Sequence, residues 1–185
     1  MSAEKTGEEG SMRNPARFVS PQTVALYGVL AALTAAVTMT LVVPFPPTRG
    51  FFNLGDAMVF FSALVFGWRA GAICGGIGSA VADVLLGFGY FAPITLVAKG
   101  SEGLVSGLIG GKNGSKNTVK ILGVVAGSLC MVSTYFFCEW ALYGVGNALA
   151  EVPVNVAQVA VGGSIGLLVS GPVRNMVKPF VARRS

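Results

Sequence analysis

Long apolar runs separated by short turns constrain this chain more than any other feature of its sequence. Hydrophobic residues make up 53% of the 185 residues and charged residues only 11%, which is too apolar for an ordinary soluble domain. A helix that crosses a bilayer needs about 20 apolar residues, and helices satisfy their own backbone hydrogen bonds in lipid. We therefore predict an all-α integral membrane protein, a bundle of six transmembrane helices. The predicted spans are Thr23–Val43, Leu54–Phe66, Ala70–Leu86, Tyr90–Ile109, Val119–Tyr143 and Val152–Val177.

The distribution of charge around these spans predicts the domain organisation and the topology. We expect a disordered cytoplasmic leader (1–20), a six-helix membrane domain (21–178) and a basic cytoplasmic tail (179–185). Most of the 13 lysine and arginine residues lie in the leader, the Gly67–Ala70 turn, the Gly111–Lys120 loop and the tail. Because basic loops stay on the cytoplasmic side, we expect a multi-pass protein of the cell membrane with both termini in the cytoplasm.

Strongly polar side chains are rare within the spans, and all fall at mid-depth or in the half that this topology places outside. Charged groups inside hydrocarbon are costly and usually face a cavity or a partner. An ion path would place such groups across the whole membrane, whereas their confinement to one half predicts an outward-opening pocket with an apolar floor. The residues concerned are Asp56, Asp83, Lys99, Glu102, Glu139, Asn155 and Gln158.

Some of these residues also have purely structural interpretations. Lys99 and Glu102 are three residues apart, so they share a helix face and can neutralise one another. Asp83 has no partner nearby in the sequence, and pairing with Lys99 across the bundle is plausible. Glu139 either lines the pocket or reaches the outer membrane interface, and we favour the interface.

The segment Pro44–Phe52, between the first two spans, combines prolines with phenylalanines. Prolines stiffen it, and phenylalanines can stack on a planar ring in a pocket. We favour a lid or pocket wall over a simple span terminator with interfacial aromatic residues. Just after it, either Asp56 caps the second span, or Asn53 does so and Asp56 faces inward.

Residue types and motifs that the sequence lacks exclude several function classes. The chain has no histidine, and Cys74, Cys130 and Cys138 lie in apolar runs without metal-ligand spacing, so we predict no metal site and no disulfide. No GxxxxGK[ST] nucleotide loop occurs, so uptake against a gradient requires ATP hydrolysis by another subunit. We predict neither an enzyme nor a bound cofactor, with a membrane-embedded acid–base enzyme as a minor alternative.

Small residues recur at four-residue spacing along the spans. In spans 3, 4 and 6 the glycines are typical of helices that pack closely within one fold. The first span carries alanines instead, which form a flat strip on which a helix of another protein can dock; the spacing alone leaves this open. The strip consists of Ala31, Ala32, Ala35 and Ala36.

Together, four motifs and the proline-rich loop resemble the substrate-binding S components of energy-coupling factor (ECF) vitamin transporters, most closely the riboflavin/hydroxymethylpyrimidine-type branch. The resemblance covers about Thr23–Val177. The motifs are F-N-L-G-D at Phe52–Asp56, G-x-x-x-G-x-x-G-S-A-x-A-D at Gly71–Asp83, A-P-I-T-L-x-x-K-G-x-E-G at Ala92–Gly103 and V-P-x-N-x-x-Q-x-x-V-G at Val152–Gly162.

The resemblance implies a pocket near the outer face, occluded by the first loop, that binds a vitamin or related micronutrient with high affinity. It also implies a complex with a transmembrane T component, which contacts the alanine strip, and with two ABC-type ATPases that hydrolyse ATP during delivery. The implied substrate-binding residues are Phe51, Phe52, Asn53, Asp56, Asp83, Lys99, Glu102, Asn155 and Gln158.

The aromatic residues limit the classes of substrate that such a pocket could bind. With only two tryptophans in the chain, ring stacking would fall to Phe51, Phe52, Phe88, Tyr90 or Phe91. We expect riboflavin first and a pyrimidine precursor of thiamine second. The net charge of +5 reflects topology and does not indicate a nucleic-acid partner. The alternative function is a solitary small-molecule transporter or channel that acts as a homo-oligomer.

Overall fold

The computed structural model describes residues 20–46, 50–112 and 114–181, with side chains up to residue 176. The leader and the basic tail lie outside the described residues, apart from residue 20 and the backbone of residues 179–181. The division of the chain into leader, membrane domain and tail therefore stays a prediction.

Six helices account for most of the described chain, so the predicted all-α membrane bundle is confirmed. Their bounds are α1 Pro21–Thr40, α2 Gly55–Phe66, α3 Trp68–Leu85, α4 Ala92–Gly110, α5 Asn117–Tyr143 and α6 Val145–Val181. In the described part, three segments are long and apolar enough to cross a membrane by themselves, namely α1, α5 and α6 as far as Met176.

Local sequence signals explain where several of these helices begin and end. Ser20 accepts a hydrogen bond at its Oγ from the backbone N–H of Thr23 (3.3 Å), and Pro21 occupies the first turn of α1, where a missing N–H costs nothing. Gly67 (φ 90°) separates α2 from α3, and Gly144 (φ 85°) separates α5 from α6. Both glycines adopt a backbone conformation that other residues rarely tolerate, so the helices reverse direction in tight turns.

The sixth helix begins earlier than predicted. The sequence analysis placed the start of the sixth span at about Val152. In the structure, the turn at Gly144 leads directly into Val145, and Pro153 lies in the helix interior, where it removes one intrahelical hydrogen bond. The added turns bring Glu151 into the bundle, where it is buried.

The proline-rich segment is a short β-hairpin rather than an irregular loop. Its strands are β1 (Val43–Phe45) and β2 (Gly50–Phe52), which pair antiparallel with Val43 opposite Phe52. Pro44 is tolerated because a strand of a two-stranded hairpin has a free edge where no N–H is needed. Hereafter, the hairpin denotes β1 and β2 together.

Glycines allow the helices to approach one another closely, as their spacing predicts. A Cβ atom added to Gly103 of α4 would overlap the backbone of Gly71 on α3, and one added to Gly166 of α6 would lie 2.7 Å from the Cβ of Phe60 on α2. Such separations are possible only without side chains on one partner. The glycine repeats therefore pack α3 against α4 and α6 against α2.

The length of α2 creates space at one end of the bundle. Its 12 residues span about 18 Å at 1.5 Å per residue, whereas the hydrocarbon core of a bilayer is about 30 Å thick. Arg174 of α6 contacts Leu64 near the end of α2 and Gly111 after α4. The C-terminal ends of α2 and α4 therefore lie at the same end of the bundle. The start of α2 therefore lies inside the bundle. We call the end that carries the hairpin the hairpin end, and the other the opposite end.

Candidate substrate-binding site

A buried cluster of charges lies where α2 begins. The ammonium group of Lys99 on α4 contacts Oδ1 of Asp56 on α2 and lies 3.9 Å from Oε2 of Glu102. Exposure is 2% for Lys99 and 0% for both carboxylate side chains. A buried cation costs free energy unless a nearby anion or hydrogen-bond acceptors compensate it. The predicted pairing of Lys99 with Glu102 is thus present, with Asp56 as the closer partner.

Gln158 on α6 connects this charge cluster to the hairpin. Its Nε2 donates to Oδ2 of Asp56 (3.1 Å), and its Oε1 accepts from the backbone N–H (2.9 Å) and from Nδ2 (3.2 Å) of Asn53. Asn53 follows β2 directly, and its own Oδ1 accepts from the N–H of Gly55 at the start of α2 (2.8 Å). Of the two interpretations given above, the structure supports capping by Asn53 with Asp56 facing inward.

A small cavity lies between the hairpin and this cluster. Its free volume is about 30 Å³, close to the share of one molecule in liquid water, about 30 Å³. The side chains of the site therefore fill it almost completely in this conformation. The lining residues are Thr38, Gly50, Phe51, Asn53, Ser79, Asp83, Phe91, Thr95, Lys99, Tyr135, Glu151, Asn155 and Gln158.

Asp83 on α3 and Glu151 on α6 both line this cavity. In each, one carboxyl oxygen has no hydrogen-bond donor among the described residues: Oδ2 of Asp83 and Oε2 of Glu151. Both side chains are at least 96% buried. The hydroxyl of Thr95 on α4 is a hydrogen-bond partner of Asp83. Because the Lys99 ammonium lies against Asp56 instead, the pairing of Asp83 with Lys99 that the sequence made plausible is not observed in the structure.

Aromatic rings form a row along the hairpin end. The ring centroids are separated by 4.8 Å between Phe51 and Phe88, 6.5 Å between Phe88 and Tyr90, and 5.1 Å between Tyr90 and Phe91. Phe51 and Phe91 line the cavity. Phe52 does not, because successive side chains of a strand point to opposite faces.

The interfacial interpretation of Glu139 is wrong. Glu139 on α5 is fully buried, and its carboxyl group lies close to that of Glu151. The prediction failed because α6 was assumed to begin at Val152, which left Glu151 outside the bundle. The longer helix places Glu151 opposite Glu139.

Most of the implied site residues come together at the hairpin end, but not all of them touch the cavity. Asp56, Glu102 and Phe52 lie outside its lining, the first two directly behind Lys99. The sequence analysis also missed five lining residues. Four of them lie in predicted spans, and Ser79 and Thr95 belong to the quoted motifs, whereas Glu151 precedes the predicted sixth span. The five residues are Thr38, Ser79, Thr95, Tyr135 and Glu151.

The alanine strip lies on the outer surface of α1, away from this cavity. Ala32 and Ala36 are exposed, Ala31 is half-buried and Ala35 is buried. Together with Val81 and Leu85 of α3, three of these alanines line an apolar groove of about 490 Å³. A shallow surface of small side chains allows close approach of another helix.

Comparison with known proteins agrees with this architecture. The family model of the ECF-type riboflavin transporter S component matches residues 18–175. An uncharacterised protein of Pyrococcus woesei is 38% identical over 144 residues, which cover 74% of this chain and 95% of that protein. The thiamine precursor transporter HmpT of Lactococcus lactis subsp. cremoris (strain MG1363) is 30% identical over 140 residues, which cover 75% and 80% respectively. Spans, fold and matched length agree, and the chain therefore belongs to the S-component family of ECF-type transporters, whose members are membrane transport subunits and not enzymes.

Proposed function

We propose that this chain captures a vitamin or vitamin precursor in the cavity beneath the hairpin, as the substrate-binding subunit of an ECF-type importer. The observation that carries the proposal is the buried charge cluster of Lys99, Asp56 and Glu102 next to a cavity covered by the hairpin. Buried charges lower stability unless they are fully compensated, so a cluster beside a cavity indicates a binding role.

Binding requires that the hairpin and its neighbours move. The cavity of about 30 Å³ is far smaller than a ligand pocket, which typically has about 300–1,000 Å³. The hairpin is the element best suited to move, because it has two short strands and is held to α6 near Gln158 and Glu151. We propose that it opens to admit substrate and closes over it.

We place a pyrimidine precursor of thiamine ahead of riboflavin as the substrate, reversing the order expected from the sequence. The relative HmpT is named for a thiamine precursor, although the family model carries riboflavin in its description. The free oxygens of Asp83 and Glu151 favour a small ring rich in hydrogen-bond donors. Phe51 and Phe91 supply apolar surface on which such a ring can stack.

The topology follows from the charges outside the bundle. We propose that the hairpin end faces outward and that both termini are cytoplasmic, because basic residues concentrate in the loops of the opposite end and in the terminal segments. The cavity would then take its substrate directly from the external medium.

Energy and delivery would come from other subunits. We propose that a T component and two ABC-type ATPases join this chain, since its sequence has no phosphate-binding loop. The T component would dock on the alanine strip, where Ala32 and Ala36 are exposed beside an apolar groove.

Two measurements test this function. A titration of the purified chain in detergent, without ATP, should show saturable binding of the pyrimidine precursor or riboflavin. Vesicles that contain the chain together with its partners should accumulate that ligand when ATP is supplied, whereas vesicles with this chain alone should not. Accumulation by the chain alone would favour the solitary transporter instead.

The docking surface is tested by substituting an exposed alanine. Ala36→Trp should leave ligand affinity unchanged and abolish ATP-driven uptake, because a large side chain blocks close helix approach. Val24→Trp is the matched control, since Val24 is 59% exposed on α1 outside the groove. Normal uptake by Ala36→Trp would contradict docking on the strip.

A further inference from the structure

Glu139 on α5 and Glu151 on α6 bring two carboxyl groups close together inside the bundle. Glu139 is fully buried and Glu151 is 4% exposed. Two carboxylates this close repel one another, so the pair favours a state with a single negative charge.

The two members of this pair have different surroundings. Glu151 lines the cavity, and its carboxyl group occupies the space that a Cβ atom would need at Gly50 of the hairpin. Glu139 lies behind it on α5 and does not line the cavity. Neither oxygen of Glu139 nor Oε2 of Glu151 receives a hydrogen bond from an N–H or O–H group in the part of the chain that the structure describes.

We infer that Glu151 selects the substrate by binding an amino group on its heteroaromatic ring, and that Glu139 positions Glu151 for this contact. This inference rests on the proposed function. Oε2 of Glu151 is a buried acceptor without a donor, and a buried acceptor of this kind costs free energy until a ligand supplies one. Specificity arises in this way when a site leaves polar groups unpaired against the wrong ligand.

The chemistry of the pair distinguishes between candidate rings. An amino group on a heteroaromatic ring presents an N–H donor, which matches the unpaired acceptor Oε2 of Glu151. A ring oxo group at the same place presents an acceptor to Oε2, which is unfavourable. The pair therefore favours aminopyrimidines over oxopyrimidines and over the oxo-rich ring of riboflavin.

The test compares two conservative variants with three probes. The probes are 4-amino-5-hydroxymethyl-2-methylpyrimidine, its 4-oxo analogue and riboflavin, each titrated into the purified full chain. In Glu151→Gln and Glu139→Gln, the new amide can donate to the remaining carboxylate, so both variants should fold, as thermal unfolding will show. Glu151→Gln should lower the preference for the amino over the oxo probe by about tenfold to a hundredfold, the value of one charged hydrogen bond. Glu139→Gln should keep that preference.

The outcomes separate this inference from the proposed function. Unchanged preference in Glu151→Gln, or equal loss of preference in both variants, would overturn the role of Glu151 and reduce the pair to a structural contact. Wild-type binding of riboflavin without the amino probe would also overturn it and leave vitamin binding intact. Binding of none of the three probes would overturn the proposed function together with this inference.

Discussion

The two ends of the bundle are built by different kinds of interaction. The hairpin end buries Asp56, Lys99 and Glu102 and encloses a small polar cavity. Towards the opposite end, glycines bring helix backbones together, and the helix ends are joined by Arg174 of α6, whose guanidinium group donates to the carbonyl oxygens of Leu64, Gly111 and Lys112. At the hairpin end the buried cation pairs with carboxylates beside a cavity, whereas at the opposite end the buried cation binds backbone carbonyl groups.

This difference assigns separate roles to buried polar residues that look alike in the sequence. Arg174 and Lys99 are both cations buried in the bundle. Arg174 satisfies carbonyl groups at helix ends, which are otherwise without partners, so its role is structural. Lys99 compensates carboxylates and lines the cavity, so we propose that its role includes binding. Substitutions at the two ends should separate stability from affinity.

The largest effect is expected from Lys99→Met at the hairpin end. The substitution leaves two buried carboxylates without their cation, and breaking a buried ion pair from one side costs about 3–5 kcal/mol. We expect the free energy of unfolding to fall by that amount and ligand binding to be lost, as measured by thermal unfolding and titration in detergent. Lys116→Met, at an exposed lysine, is the control. A stable Lys99→Met variant that binds ligand normally would show that the charge cluster is needed neither for stability nor for binding.

A smaller loss of stability is expected from Gly103→Val in the glycine-packed region. The new side chain would overlap the backbone of Gly71, and overpacking of this kind costs about 1–3 kcal/mol. Gly28→Val is the matched control, because a Cβ atom there would meet nothing within 4 Å. Equal melting temperatures for the two variants would show that close packing of α3 and α4 is not required.

At the opposite end, Arg174→Met should lower stability without affecting the ligand. Removing the guanidinium group leaves the carbonyl groups of Leu64, Gly111 and Lys112 without this donor, at a cost of about 1–3 kcal/mol. Unfolding should begin at a lower temperature, whereas the dissociation constant should stay unchanged. A weaker dissociation constant would mean that the two ends are coupled.

Gln158→Leu should act on affinity through the hairpin. The variant loses the hydrogen bonds that join Asn53 to Asp56, so the hairpin should exchange its amide hydrogens faster and bind ligand about tenfold more weakly. Gln22→Leu, at an exposed position in α1, is the control. Normal exchange and affinity in Gln158→Leu would show that Gln158 does not hold the hairpin.

The sequence predicted the fold well because apolar length, glycine spacing and turns such as Gly67 are local signals. It also predicted that Asp56, Asp83 and Lys99 lie near the same end of the bundle, because the depth of each residue follows from its position in its span. It did not predict which of the two aspartates meets Lys99, because that depends on how α2 and α3 are rotated. Glu151 was missed because the sixth span was predicted to begin at Val152, whereas α6 begins at Val145. The short pairing of Val43 with Phe52 lacked the alternating pattern by which strands are recognised.

The central claim is that substrate binds beneath the hairpin, and hydrogen exchange of the purified chain with and without ligand tests it most directly. Saturating 4-amino-5-hydroxymethyl-2-methylpyrimidine or riboflavin, without ATP, should slow amide exchange at Val43–Phe45, at Gly50–Phe52 and at the start of α2, while exchange near Arg174 stays unchanged. Binding that leaves the hairpin amides exchanging at their original rate would contradict the claim.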